Sequence, residues 1–193
     1  MASQPASRHA PRPVSGPTSG PDSMDRRAWC RAAAALAMGA PLAAANAAGG
    51  ARNMPALGEP LTLPDVPLLD GGTFRAAQAQ GQVLVVYWWA SWCPFCAQVT
   101  PSIQKLWRDH RAQGLQVLGL SIDQDIAAAK TYRAEHGYDF PSGWVSPALN
   151  ASLPKPKGLP VTLARDRQGK VAALELGQLF PEDVEQLARF LRA

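Results

Sequence analysis

The seven residues Val83-Leu-Val-Val-Tyr-Trp-Trp89 carry no charge and are rich in β-branched and aromatic side chains. A short run of this kind reads as a buried strand. It gives way almost at once to Trp92-Cys93-Pro94-Phe95-Cys96 and a helix-like segment. A Cys-x-x-Cys placed there puts Cys93 at a helix N-terminus. Unpaired N–H groups and the positive end of the helix dipole favour a thiolate at that point. The thiolate is the nucleophile of disulfide exchange, so the placement activates Cys93. Cys96 lies one turn further in, within reach to close a disulfide or to resolve a mixed one.

Two other uses of a cysteine pair compete with this reading. Structural zinc takes four ligands, commonly from two such pairs. The only other cysteine, Cys30, lies in a segment expected to be removed, and His110 and His136 have no paired spacing. The ligand count therefore disfavours zinc. An inert structural disulfide remains an alternative, but it does not explain why the pair follows a strand and opens a helix.

The 193-residue chain has a formal charge of +4. Residues 1–47 hold five arginines against Asp22 and Asp25, which leaves +1 for residues 48–193. No concentrated basic face is visible in that remainder, and nucleic acid is not an expected partner. Residues 1–23 are rich in Pro, Ser and Gly and lack an apolar pattern. They read as a disordered extension, or as a start site placed too early. Residues 24–47 read as a signal peptide. Met24-Asp-Arg-Arg27 is its charged start, Ala32 to Ala45 its apolar stretch, and Ala45-Asn46-Ala47 its small-x-small cleavage site. The apolar stretch is short for a bilayer span. Arg26-Arg27 with Trp29 weakly resembles a twin-arginine signal; a general secretory signal is the alternative. Export would bring the chain into an oxidising compartment where disulfides persist. The mature chain would keep two cysteines, both in one motif, which suggests chemistry rather than bracing.

Residues 48–56 read as a linker and 57–193 as one domain of ordinary size. Leu61 to Leu69, with prolines at 64 and 67, reads as an edge strand or extended segment. Val83–Trp89 is the first central strand. Residues 94–112 read as a helix broken or kinked at Pro101. Leu115–Ile122 reads as a second buried strand, and Gln124–Glu135 as a helix ended by His136-Gly137. Residues 138–158, with four prolines and two glycines, read as a loop. Val161–Ala164 and Val171–Leu176 read as a hairpin across Asp166-Arg-Gln-Gly169. Pro181 opens a terminal helix whose first turn carries Glu182 and Asp183. A right-handed parallel crossover followed by an antiparallel hairpin gives an α/β domain: a mixed central β-sheet with helices on both faces. Trp88 and Trp89 read as core, His110 and His136 as helix-end residues.

At these residues the chain resembles the thioredoxin superfamily, and within it the exported TlpA/ResA-like thiol–disulfide oxidoreductases. Trp89-Ala90-Ser91-Trp92-Cys93-Pro94-Phe95-Cys96 matches the active-site signature. Pro101 matches the helix-kinking proline, and Gly158-Leu159-Pro160-Val161-Thr162 the segment whose proline is cis. The resemblance covers about residues 57–193 and implies the thioredoxin fold. It also implies Cys93 and Cys96 as catalytic residues, supported by Trp92, Pro94, Phe95, Leu159 and Pro160. Pro160 would pack beside the disulfide, leaving the Leu159 backbone to pair with a partner peptide as an added strand. Two departures stand out. Many thioredoxins have a buried acid at the position of Tyr87, and many ResA-like proteins a glutamate at that of Val99. Neither position supplies a carboxylate to relay a proton to Cys96, which leaves Tyr87 or water to serve. The Leu153-Pro-Lys-Pro-Lys157 stretch also departs from the usual segment, and would place Lys155 and Lys157 near the site.

The implied function is exchange of a Cys93–Cys96 disulfide with protein thiols and disulfides, in the direction of reduction. No cofactor or metal is implied. The implied partners are apocytochrome c or another exported protein, with an upstream membrane electron donor, in the periplasm or otherwise outside the cytoplasm. A copper-handling module is one alternative, though such proteins favour a wider cysteine spacing and a distal histidine. A non-catalytic interaction module is another, weakened by retention of both cysteines and Pro160. A peroxidase would want an isolated cysteine before the pair. Sequencing of the unprocessed precursor is expected to begin at Met24, and of the exported protein close to Ala48. A peptide from residues 1–23 would overturn the first expectation.

Overall fold

The computed structural model describes residues 54–192. The expected extension, the signal segment, Cys30 and most of the linker lie outside the described residues. The domain opens with two short strands, β1 (Val66–Pro67) and β2 (Thr73–Phe74), paired antiparallel. β3 (Val83–Trp89) is the central strand, and all seven of its residues are buried. It leads into α1 (Pro94–His110), then β4 (Leu115–Ser121) and α2 (Ile126–His136). β5 (Ser142–Trp144) and α3 (Pro147–Ser152) follow. The hairpin β6 (Val161–Arg165) and β7 (Val171–Leu176) precedes α4 (Pro181–Gln186), which tightens into a 3-10 segment, Leu187–Arg192.

The main sheet has the order β5-β4-β3-β6-β7. β3, β4 and β5 are mutually parallel; β6 runs antiparallel to β3, and β7 to β6. This is the mixed α/β sheet expected from the sequence. Side chains alternate across a strand, so β3 feeds two cores. Val83, Val85, Tyr87 and Trp89 pack with Val99, Ile103 and Leu106 of α1, Ala129 of α2 and Val184 of α4. Leu84, Val86 and Trp88 pack with Leu61, Leu63, Val66, Phe74, and Leu149 of α3. Each large aliphatic side chain so buried contributes about 1.5–3 kcal/mol.

The structure corrects the sequence reading in one place and narrows it in two. Residues 138–158 are not simply a loop: they hold β5 and α3. Ser146 caps α3, accepting from the Leu149 N–H at 3.2 Å, and Pro147 occupies its first position. α1 is not broken at Pro101. Proline removes one backbone donor, but Val99, Ile103 and Leu106 on either side are fully buried and hold both halves to the sheet. Of the two readings of Leu61–Leu69, the extended segment holds, with a two-residue strand within it. Leu69 donates its N–H to the Ser142 carbonyl at 2.8 Å and so covers the outer edge of β5.

That covering depends on Gly143. A Cβ there would collide with Val66 and stand 2.9 Å from the Pro67 carbonyl oxygen. Gly143→Ala is expected to destabilise the domain by about 1–3 kcal/mol, the usual range for overpacking. The denaturant midpoint reads this directly, and an unchanged midpoint would mean that β1 does not hold its place against β5.

Candidate active site

Parallel strands place their carboxyl ends on one edge of a sheet. Here that edge collects Ala90–Cys93 after β3, Ile122–Asp125 after β4 and Val145 after β5. β6 runs the other way and β7 runs with β3, so Pro160 at the start of β6 and Gly177 at the end of β7 reach the same edge. The Gly177 N–H bonds the Pro160 carbonyl at 2.8 Å. The Leu159–Pro160 bond is cis, as the resemblance implied.

Cys93 is the N-cap of α1, and its Sγ accepts the Cys96 N–H at 3.1 Å. Pro94 follows as the first helical residue, where its lacking N–H costs nothing and its fixed φ suits the helix. No acidic residue occupies the first turn of α1, so the positive end of the helix acts on Cys93 without a competing negative side chain there. Cys93 and Cys96 form a disulfide with Cα atoms 5.2 Å apart. Cys93 is 4% exposed and Cys96 0%. Trp92 and Phe95 on either side of Cys93 are 64% and 52% exposed. Leu159 packs against the core cluster that contains both cysteines. Sequence-predicted site residues thus share one edge of the sheet.

Behind Cys96 stands a neutral pair, as the absence of an acid at Tyr87 and Val99 led one to expect. The Tyr87 hydroxyl lies 2.9 Å from the Thr100 hydroxyl and 3.3 Å from the Cys96 carbonyl oxygen, to which Thr100 donates at 2.7 Å. Val99 is wholly buried. Thr100 was not foreseen from the sequence; its spacing of four from Cys96, which lets a helical hydroxyl reach that carbonyl, was the available signal. Asp123 was missed as well. It is 3% exposed and accepts from Ser91 and Ser121. Its signal was an acid set directly after an apolar strand. Lys155 and Lys157 are both exposed. Lys155 lines a cavity of about 360 Å³ together with Asp123, Trp144 and Asn150, and its N–H bonds the Asn150 side chain at 2.9 Å. Among the described residues no three His, Cys, Asp or Glu side chains converge as a metal-binding group.

Residues 57–182 match the AhpC/TSA family. The chain belongs to that family. Within it, this is a thiol–disulfide oxidoreductase of thioredoxin fold, ResA/DsbE-like in kind. It is 26% identical over 129 residues to the thiol–disulfide oxidoreductase ResA of Geobacillus kaustophilus (strain HTA426), covering 65% of this chain and 73% of ResA. A secreted thiol–disulfide isomerase from Corynebacterium glutamicum is 26% identical, with a TM-score of 0.60 over 68% of this chain and 86% of that one. A thiol:disulfide interchange protein of the thioredoxin family from Chlorobium tepidum TLS shares the fold, with a TM-score of 0.63 at 21% identity, over 74% and 99% of the two chains.

Burial pushes the Tyr87 phenol well above its ordinary 10.0, against a smaller opposing pull from its Thr100 hydrogen bond. The oxidoreductase therefore keeps a neutral hydroxyl behind Cys96 throughout the working pH range. The unfolded chain ionises this phenol near pH 10.0 while the folded one holds the proton. Its contribution to stability is thus complete below that pH and is lost as pH rises beyond it. Unfolding free energy is expected to fall above about pH 10 by up to ~1.4 kcal/mol per pH unit for this one proton. Tyr87→Phe should flatten that fall; an equal slope in the variant would assign the effect elsewhere.

Proposed function

We propose that Cys93 is the attacking thiol and Cys96 the resolving thiol of an exported enzyme that reduces disulfides in partner proteins. The observation that carries the assignment is the asymmetry of the pair. Cys93 is the N-cap of α1, 4% exposed and next to the exposed Trp92, whereas Cys96 is wholly buried one turn in. In the reduced enzyme the Cys93 thiolate attacks one sulfur of the partner disulfide and expels the other as a thiolate. The Cys96 thiolate then attacks Cys93, releasing the second partner thiol and closing the Cys93–Cys96 bond. Two electrons pass to the partner, and an upstream membrane donor restores them.

Trp92 and Phe95 offer apolar contact beside the exchanging sulfurs. Pro94 sets the first turn of α1. The Leu159 backbone, ahead of Pro160, serves as the edge on which a partner peptide adds as a strand. The working unit is the domain at 57–193, freed by cleavage near Ala47 after a 24–47 signal peptide; the secreted relative from Corynebacterium glutamicum supports that location. Partners are protein thiols and disulfides, with apocytochrome c the leading candidate. The reductive direction rests on the resemblance to ResA-like proteins.

Cys96→Ser tests the assignment. The enzyme should then stall as a mixed disulfide through Cys93, and a reductant should release the captured partner for identification. Capture by Cys93→Ser instead, through Cys96, would reverse the two roles.

A further inference from the structure

Asp123 is a buried acid with no part in the chemistry assigned so far. An ionised carboxylate only accepts hydrogen bonds, and burying one is costly unless donors meet it. Here they do. Ser91, just beyond β3, gives its N–H to both carboxylate oxygens at 3.1 Å and its hydroxyl to Oδ1 at 2.7 Å. Ser121, the last residue of β4, gives its hydroxyl to Oδ2 at 2.7 Å and accepts the Asp123 N–H at 3.1 Å. Trp144, the last residue of β5, donates its indole N–H to the Asp123 carbonyl at 2.7 Å. One residue thus ties together the carboxyl ends of all three parallel strands.

We propose that Asp123 is a positioning residue for disulfide exchange: by clamping Ser91 it fixes the loop that carries Trp92 and Cys93 at the start of α1. The inference rests on Cys93 being the attacking thiol. Ser91 lies two residues before Cys93, and the loop closes where the Cys93 N–H meets the Ala90 carbonyl at 3.2 Å. Cys93 has to keep its sulfur on the first turn of α1 and also present it in line with an incoming S–S bond. That is a problem of orientation, which a loose loop would solve only part of the time. A carboxylate suits the task because its two oxygens take the N–H and the O–H of one serine together. Its negative charge works against a second one on Cys93. Thiolate stability therefore gives no reason for an acid here, and geometry does.

The test uses the reduced protein with glutathione disulfide as probe, at a pH above the Cys93 titration, where the rate no longer depends on the fraction of thiolate. Cys93 attacks one sulfur of the probe and expels a glutathione thiolate; Cys96 then displaces the second, and two electrons pass to the probe. Ser91→Ala and Asp123→Ala are expected to lower this limiting rate, Asp123→Ala by about tenfold. The double variant should be no slower than Asp123→Ala alone, because both act through one clamp. Thermal unfolding of each variant reports stability separately. Folded variants with wild-type limiting rates would reduce Asp123 to a stabilising residue and overturn the proposal, as would losses that simply add. If Asp123→Ala does not fold, Ser91→Ala decides: a wild-type rate overturns the proposal and a lowered one upholds it. A wild-type protein inert toward the probe would instead count against the exchange chemistry assigned to Cys93 and Cys96.

Discussion

The parallel pairing of β3 with β4, in register from Val83 opposite Leu115 to Trp89 opposite Ser121, is the constraint on which the rest of the domain depends. β3 has no solvent-facing side. Every residue on it must be covered, and the two faces find different cover: helices α1, α2 and α4 on one, the N-terminal segment and α3 on the other. Parallel strands also need crossovers, so each strand end turns into a helix start at the same edge. The exchange site lies there because the topology delivers four loops to one place.

That edge also explains the chemistry of the cysteines. A helix that begins immediately after a central strand has its unpaired N–H groups anchored to the most rigid part of the fold. Cys93 takes the cap position that serine or aspartate commonly fills, and its sulfur meets one of those donors. The reduced form would therefore hold a thiolate where the backbone already presents positive charge. Behind Cys96 the packing is neutral. Tyr87, Thr100 and Val99 place hydroxyls and an aliphatic side chain where an acid would otherwise titrate with the buried thiol.

The parts of this arrangement that follow local rules were legible in the sequence. β3, β4, α2 and the β6–β7 hairpin each lie within two residues of where apolar runs, caps and turn residues put them. Cys93 and Cys96 were readable from their tight spacing between strand and helix, and the cis Pro160 from the family resemblance of residues 158–162. β5 was not: three residues, Ser-Gly-Trp, carry no strand pattern of their own and are held by pairing to β4 and by Leu69. α3 had a readable start in Ser146-Pro147, but one and a half turns among four prolines give little periodicity to detect. Asp123 was visible as an acid directly after an apolar strand, but its partnership was hidden for a different reason. Its partner Ser91 is 32 residues away, and only the parallel register brings the two ends together.

The distribution of exposed apolar side chains carries the argument one step further. Trp92, Phe95, Leu176 and Phe180 are all more than half exposed. Stability gives no reason for this, since each would be better buried. Leu57, 66% exposed, stands apart by the start of β7, but these four lie toward the edge that carries the cysteines. Trp92 and Phe95 flank Cys93, and Leu176 stands opposite Val161, next to Pro160. Phe180 caps α4 on the segment that Gln178 ties to Gln98, one turn beyond Phe95, at 2.6 Å. Exposed apolar groups collected in this way mark a surface that meets another molecule. A rim of this kind offers contact area without buried charge beside the cysteine pair, as the exchange proposed for Cys93 and Cys96 would require.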